Sequence, residues 1–265
     1  MSILDNTITT KFRGIIFNTF GWIDSILGKK NDLFILCYHA IGNDNWRYGI
    51  KRSEIVRQVK WLLKTHSNVS LKDIELHIKG KKHISQPSFA ITFDDGYKDI
   101  LEVKDIFLKM GIKPTVFILA DTKNANRKEL ENNRKFLNKS EIFRLKKSGW
   151  DIECHGMTHA FLPKTKSFDR EIVEAKKKIK RDMNINTEYI AYPKGGYTQQ
   201  VLEIVCKAGF KMGLSMDDGV INQNTNIFAV PRIGVDRSHS FKEFKYLFSP
   251  TVCKIRGFIK DHHFI

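Results

Sequence analysis

The chain has 265 residues, with 45 Lys and Arg against 29 Asp and Glu, a formal net charge of +16 and a pI near 9.6. Its 42% hydrophobic and 11% aromatic content exclude long disorder, and its length suits one large domain with a buried core or two small ones. No internal repeat, low-complexity tract or Pro-, Gly- or Ser-rich stretch divides it. One main domain is therefore expected over residues 31–250, after an N-terminal amphipathic segment at 1–30 and before a basic, aromatic C-terminal tail at 251–265.

The charge surplus produces a field that attracts polyanions such as nucleic acid, anionic lipid headgroups or acidic glycans. A solvated lysine surface is the plainer reading, because the basic residues are scattered. No nucleic-acid-binding motif accompanies them, so no nucleic-acid partner is expected. Cys37, Cys154, Cys206 and Cys253 form no C-x-x-C pair, a pattern that suits a reducing compartment.

Residues Met1 to Thr10 lack the basic start and continuous apolar run of a secretory signal. From Phe12 to Leu27 the chain is rich in Phe, Ile and Trp but is interrupted by Arg13, Asn18 and Asp24, too short and too polar to span a bilayer. It reads as an amphipathic helix, either packed on the domain or lying in a membrane interface with Lys11, Arg13, Lys29 and Lys30 beside it.

After Asn31, apolar runs alternate with helical stretches that end in Gly. LFILCY (Leu33 to Tyr38) reads as a buried strand, and Ser53 to Lys64 carries Ile55, Val56, Val59, Leu62 and Leu63 on one helical face. PSFAITF (Pro87 to Phe93) is a second strand, Asp99 to Met110 a helix capped by Gly111, and Thr115 to Leu119 a third strand. A helix from Ser140 to Ser148 precedes the strand Trp150 to Cys154, and a longer helix, Phe168 to Met183, precedes Tyr189 to Tyr192. Thr198 to Ala208 is helical, Lys211 to Ser215 and Phe228 to Val235 are strands, and a helix begins near Phe241. This alternation is the signature of an α/β fold with a parallel sheet, in which catalytic groups sit beyond the C-terminal ends of strands.

Three polar constellations fall at such ends. TFDDGY (Thr92 to Tyr97) sets two adjacent carboxylates after a strand, which repel unless a cation or hydrogen bonds hold them. Adjacent residues point different ways, so one carboxylate can bind a metal while its neighbour faces a water. Gly96 allows the chain to turn away. HGMTH (His155 to His159) spaces two imidazoles so that both can reach one metal. AYPKGGY (Ala191 to Tyr197) combines a fixed Pro193 with glycines that allow close approach of substrate, and a backbone N–H such as that of Lys194 can face an oxyanion. A second DDG, at Asp217 to Gly219, lacks a neighbouring His pair and reads as a turn.

TFDDGY and HGMTH, with ILCYHAI, GIKPTVFIL and YPKGGY around them, resemble the polysaccharide deacetylases (carbohydrate esterase family 4, the NodB-homology domain), in particular the branch acting on exopolysaccharides. The resemblance runs from about Leu33 to Val235. It implies a distorted (β/α) barrel of about seven parallel strands. It also implies Asp95, His155 and His159 as ligands of a divalent metal and Asp94 as the general base that deprotonates the attacking water. The ligand set points first to zinc, with cobalt, nickel, iron or manganese also accommodated. Tyr97 and Tyr192 are candidate sugar contacts, and the Lys194 amide is the candidate oxyanion donor.

Two departures stand out. The family carries an Arg before the Pro of its third motif, where this chain has Ala191-Tyr192-Pro193. Arg232, in VPRIGV, is a candidate replacement; the alternative is a surface ion pair. No late L-x-H motif supplies a general acid, and His39 is the substitute favoured by position, with an exposed His239 as a second candidate.

The leading expectation is a metal-dependent hydrolase removing N-acetyl groups from an amino sugar in a surface polysaccharide, lipopolysaccharide or lipid-linked glycan precursor. It would be cytoplasmic, with peripheral contact at an anionic inner membrane face. The alternative is a catalytically weak or inactive deacetylase fold that binds glycan or anion. Metal content and amine release separate the two.

Overall fold

A computed structural model describes residues 7–126, 130–131 and 133–261. The remainder of the expected N-terminal segment and of the tail, with His262 and His263, lies outside the described residues.

Helix α1 (Thr7–Ile26) comes first. Strand β1 (Leu33–Tyr38) follows, then the short pair β2 (Ala40–Ile41) and β3 (Gly49–Ile50), and helix α2 (Arg52–Leu62). Strand β4 (Ser67–Asn68) and helix α3 (Leu71–Ile78) lead to β5 (Ser88–Phe93). A 3₁₀ turn at Lys98–Val103 runs into α4 (Lys104–Lys109), followed by β6 (Thr115–Ile118), α5 (Lys139–Lys147) and β7 (Asp151–Cys154). A π-helical stretch, Asp169–Glu174, continues as α6 (Ala175–Met183), then β8 (Tyr189–Ala191), α7 (Gln199–Lys207) and β9 (Met212–Leu214). The chain closes with β10 (Ile233–Gly234), α8 (Phe241–Phe244) and α9 (Pro250–Asp261).

Seven strands run parallel in the order β10-β1-β5-β6-β7-β8-β9, with β4 added beside β5. The curled sheet with its covering helices is the expected distorted barrel. β1 and β5 are buried along their whole length, which is why both are continuous apolar runs rather than alternating ones. Alternate residues feed two cores. Phe34, Leu36, Phe89, Ile91 and Phe93 face one set of packing partners that includes α2. Leu33, Ile35, Ala90, Phe117, Met212 and Leu214 share the other side with Leu71, Ile74 and Ile78 of α3.

Register places the site. β1 and β5 pair from Leu33–Ser88 to Tyr38–Phe93, so His39 and Asp94 leave the sheet side by side. β6 and β7 end level at Ile118–Cys154, and β8 and β9 end level at Ala191–Leu214.

The expected strand Phe228 to Val235 is shorter in the structure. It keeps an isolated bridge, Val230 to Leu214, and the two-residue β10 beside β1, because Pro231 between them has no N–H to give a ladder. That segment nonetheless touches β9 at one end and β1 at the other, and so spans the seam of the barrel. Two long helices also differ: Asp99 to Met110 starts as 3₁₀, and Phe168 to Met183 starts as π-helix. Residues 251–261, expected as tail, belong to α9, which packs against α1.

Trp150, fully buried, stacks on Phe93 and Phe107 with centroids 5.6 and 6.1 Å away. Its indole N–H has no partner among the described residues. Trp150→Ala should destabilise the fold by about 3–5 kcal/mol in urea unfolding. Trp150→Phe should cost only about 1 kcal/mol, since the stack survives and the unpaired buried donor is gone.

Candidate active site

The turn after β5 is drawn tight. The Asp94 N–H donates to the Tyr38 carbonyl at 2.9 Å, extending the ladder one residue past the strand, and the Gly96 N–H returns to the Asp94 carbonyl at 2.9 Å. Asp95, between them, sits at φ 68° and Gly96 at φ 71°. His159 and Lys194 also lie in the left-handed region, at φ 67° and 59°. For a residue with a side chain that conformation costs roughly 1–2 kcal/mol, and three such residues follow the ends of β5, β7 and β8. This is where functional constraint tends to hold strain.

Asp95, His155 and His159 converge. Asp95 Oδ1 lies 3.3 Å from Nε2 of His155 and 3.3 Å from Nε2 of His159, all three residues buried. The Nδ1 atom of His155 donates to the Ala191 carbonyl at 2.9 Å, because a carbonyl can only accept. In the neutral ring Nε2 then turns a lone pair toward Asp95 Oδ1, an atom with no hydrogen-bond donor among the described residues. Acceptors facing one another in a buried site call for a cation between them, and one carboxylate oxygen plus imidazole nitrogens is a set that zinc and its neighbours accept. A second group, Cys37, His39 and Asp94, is also close enough to share an ion. It fits less well: burial pushes the Cys37 thiol far up, and Asp94 is already engaged.

Asp94 is held by Arg232. Its Oδ1 accepts from Nη1 at 2.7 Å and its Oδ2 from Nη2 at 2.8 Å, a two-pronged pair with neither side chain more than marginally exposed. Arg232 also donates to the Ser215 carbonyl at 3.0 Å and to Thr92 Oγ1 at 3.1 Å, and its guanidinium sits 5.5 Å from the Phe117 ring centre. This is not a surface ion pair.

Burial alone would raise the Asp94 carboxyl, but the Arg232 charge, then His155, hold it well below the ordinary range. Asp95 is likewise lowered: burial opposes ionisation, and its contacts with His155 and His159 outweigh it. His155 is disfavoured as a cation by burial, yet Asp94 and Asp95 raise it on balance. Two carboxylates against one guanidinium leave the site one positive charge short of neutral. A proton on His155 or a bound cation supplies the difference.

His39 is beside this group and packs against Tyr48, with ring centres 4.7 Å apart and the rings tilted by 37°. Its Nδ1 is buried without a hydrogen-bond partner among the described residues. A cavity of about 140 Å³ opens next to it, lined also by Arg47, Tyr48, Met216, Asp236 and His239.

Other expected positions turn out differently. His239 is not exposed: its side chain is 5% accessible, 3.3 Å from Asp236 and 3.1 Å from Arg256. Tyr97 and Tyr192 are fully buried, and they present no ring face to a sugar here. The Tyr97 hydroxyl accepts from the Glu131 N–H at 3.1 Å, and the Tyr192 hydroxyl donates to the Phe228 carbonyl at 2.6 Å. Gly195 and Gly196 make room for protein, not ligand, since an added Cβ would lie 2.4 Å from Met216 and 2.2 Å from Phe161. Lys194 extends its ammonium over Phe161, 5.5 Å from the ring centre. The turn at Asp217 and Asp218 is a hydrogen-bonded one, receiving the Tyr197 hydroxyl at 2.8 Å and Arg256 at 2.9 Å.

Sequence reading missed Glu171. Its buried carboxylate accepts the N–H of Met157 at 3.2 Å, the N–H of Thr158 at 3.0 Å and the Thr158 hydroxyl at 2.7 Å, clamping the loop between the two histidines. The signal was present: an acid in the apolar stripe Phe168, Ile172, Ala175, Ile179. It sits in the π-helical stretch, a distortion that often accompanies functional sites. Glu171→Gln replaces an acceptor facing donors with an amide that must turn one oxygen to three donors. The substitution should weaken zinc affinity by about 10–100-fold in chelator competition, with the circular dichroism spectrum unchanged.

Comparison with known proteins places the chain in a family. The family model described as Polysaccharide deacetylase matches residues 81–213. YxkH of Bacillus subtilis (strain 168) is 26% identical over 234 residues, covering 86% of this chain and 79% of that protein. The poly-beta-1,6-N-acetyl-D-glucosamine N-deacetylase of Staphylococcus aureus (strain NCTC 8325) is 28% identical over 236 residues, covering 77% of this chain and 79% of that one. Among solved structures, IcaB from Ammonifex degensii has a TM-score of 0.71 at 20% identity, over 85% of this chain and 98% of its own. The Streptococcus pyogenes deacetylase PplD in complex with acetate has a TM-score of 0.70 at 20% identity, over 82% and 98%. The matched half of the chain holds the Asp94–Asp95 turn, the His155–His159 loop and the Pro193 turn, and the chain belongs to the polysaccharide deacetylase family.

Proposed function

We propose that this protein hydrolyses the N-acetyl groups of a poly-N-acetylglucosamine-type exopolysaccharide or its precursor, using a divalent metal held by Asp95, His155 and His159. The observation that carries the reading is the convergence of those three residues beside a carboxylate locked by Arg232. The substrate class rests on the likeness to the staphylococcal poly-beta-1,6-N-acetyl-D-glucosamine N-deacetylase.

A divalent metal, zinc first among the candidates, supplies Lewis acidity toward the acetyl carbonyl and brings the pKa of the attacking water toward about 7. The rest falls to the chain. Asp94 accepts the proton of the attacking water, and Arg232 fixes both carboxylate oxygens so that the base cannot swing away. Water oxygen bonds to the carbonyl carbon, and the backbone amide of Lys194 donates to the oxygen that gains charge. His39, with an unpartnered buried nitrogen near Asp94, protonates the leaving nitrogen as the C–N bond breaks, releasing acetate and the free amine. Tyr48, 39% exposed and packed against His39, replaces Tyr97 and Tyr192 as the aromatic surface available to a sugar. The purely glycan-binding alternative is not favoured, because Arg232 fills the gap that prompted it.

The direct test is amine release from β-1,6-linked N-acetylglucosamine oligomers, coupled to elemental analysis of zinc-reconstituted protein. One divalent ion per chain is expected. Asp94→Asn should retain the ion and lower kcat by about 100- to 10,000-fold, while His155→Ala should lose the ion. Folded protein that takes up no metal, and whose rate is indifferent to Asp94→Asn, would sink the reading. Arg232→Lys keeps the charge but not the two-pronged grip, and kcat/KM should drop by about 100-fold.

A further inference from the structure

Helix α1 presents its apolar side outward. Successive side chains on a helix turn by about 100°, so Arg13, Phe17, Gly21 and Asp24 share one side, and that side faces the body of the protein. Its charged residues are spent there. Arg13 meets Glu243 at 3.0 Å and the Ser238 hydroxyl and carbonyl at 3.1 and 2.6 Å. Asp24 accepts the N–H and hydroxyl of Thr251, at 2.8 and 2.7 Å, and the Ser249 hydroxyl, capping the start of α9. Gly21 lies so near Tyr246 that a Cβ would come within 2.4 Å of it. The orientation of the helix is thus fixed by ion pairing, capping and close approach.

The opposite side carries Phe12, Ile15, Trp22 and Ile26, each between 56% and 65% exposed, with Phe20 and Ile23 at its margins and Leu27, 60% exposed, just past the helix end. Single exposed apolar residues are ordinary, but four large ones gathered on one helix side, broken only by Thr19 between Ile15 and Trp22, mark a docking surface. Lys11 stands exposed at one end, and Lys29 and Lys30 beyond the other. The whole chain carries +16, so a second copy would bring like charge to the face, whereas an anionic surface would be drawn to it. No helix among the described residues is long and apolar enough to cross a membrane. An apolar stripe edged by Lys with a Trp in it suits the plane of the bilayer interface.

We propose that α1 docks the protein on an anionic lipid bilayer, with Phe12, Ile15, Trp22, Ile26 and Leu27 entering the boundary between headgroups and acyl chains. The inner side of the same helix contributes Arg13 and Phe17 to the cavity that holds His39. A bilayer on its outer side therefore lies next to the mouth of the barrel, where a membrane-borne glycan would arrive.

Flotation with vesicles of phosphatidylcholine, with and without phosphatidylglycerol, tests this. The wild-type protein should float with the phosphatidylglycerol vesicles and far less with pure phosphatidylcholine. The combined variant Phe12→Ser, Ile15→Ser, Trp22→Ser, Ile26→Ser should lower its partition by about tenfold or more, without change in circular dichroism. Trp22→Phe, a milder change, should still float but lose the fluorescence quenching that brominated acyl chains cause in the wild type. Wild-type protein that never floats, or a combined variant that floats equally well, overturns the proposal. So does a wild-type dimer that the same substitutions dissociate without any effect of lipid, which would make a second copy the occupant.

Discussion

Arg232 carries a full positive charge with none of its surface exposed, and a charge so placed must be matched on every side. It is matched by Asp94 at the end of β5, by the Ser215 carbonyl just past β9 and by the Thr92 hydroxyl within β5. These partners come from both sides of the barrel seam, where among the described residues β9 and β10 share no strand ladder and the segment before β10 meets β9 through the Val230–Leu214 bridge and the Gly213 N–H to the Ile227 carbonyl. One side chain thus links the two edges of the sheet and orients the carboxylate beside the candidate metal ligands. Removing it would strand a buried carboxylate, which typically costs about 3–5 kcal/mol, so barrel integrity and the position of Asp94 are not separable properties of this protein.

The same logic of buried charge extends outward from that pair. Asp95 Oδ1 and the two imidazoles sit close together with too few protons among them, and the turn that brings Asp95 there holds it at φ 68°. Glu171 works from behind, holding the His155–His159 loop through backbone N–H groups rather than through either ring. The Ala191 carbonyl fixes the tautomer of His155. Each of these contacts fixes the direction of one of the candidate ligand side chains, the kind of support that metal sites use to orient their ligands.

Much of this was legible in the sequence, for physical reasons. β1 and β5 are buried on both faces and so appear as unbroken apolar runs, and the polar motifs stand out because they end such runs. Positions fixed by what a residue lies beside, rather than by what it follows, were harder. Tyr97 and Tyr192 follow strands like the ligands do, yet their rings turn into the core; the sequence marks the strand end but not the rotamer. His239 looked exposed because its local letters, DRSH, are polar, whereas Asp236 and Arg256, the latter from α9, enclose it. Arg232 could be nominated because parallel strand ends face one mouth. Glu171 was passed over because a lone acid on a helix usually faces water, although its place in the apolar stripe argued against that.

The arginine also bears on how a barrel site can change without losing its chemistry. Because the family's motif places the guanidinium before Pro193 and this chain places it at Arg232, the two positions lie on different strands, β8 and the segment leading to β10. What holding this carboxylate requires is a planar fork within hydrogen-bond reach of both its oxygens, not a particular sequence position. In a parallel barrel every strand delivers its last side chains to the same ring, so the fork can be supplied from more than one strand without moving the carboxylate. The requirement is met here at 2.7 and 2.8 Å from the far side of the seam, on a segment where Pro231 leaves β10 only two residues long.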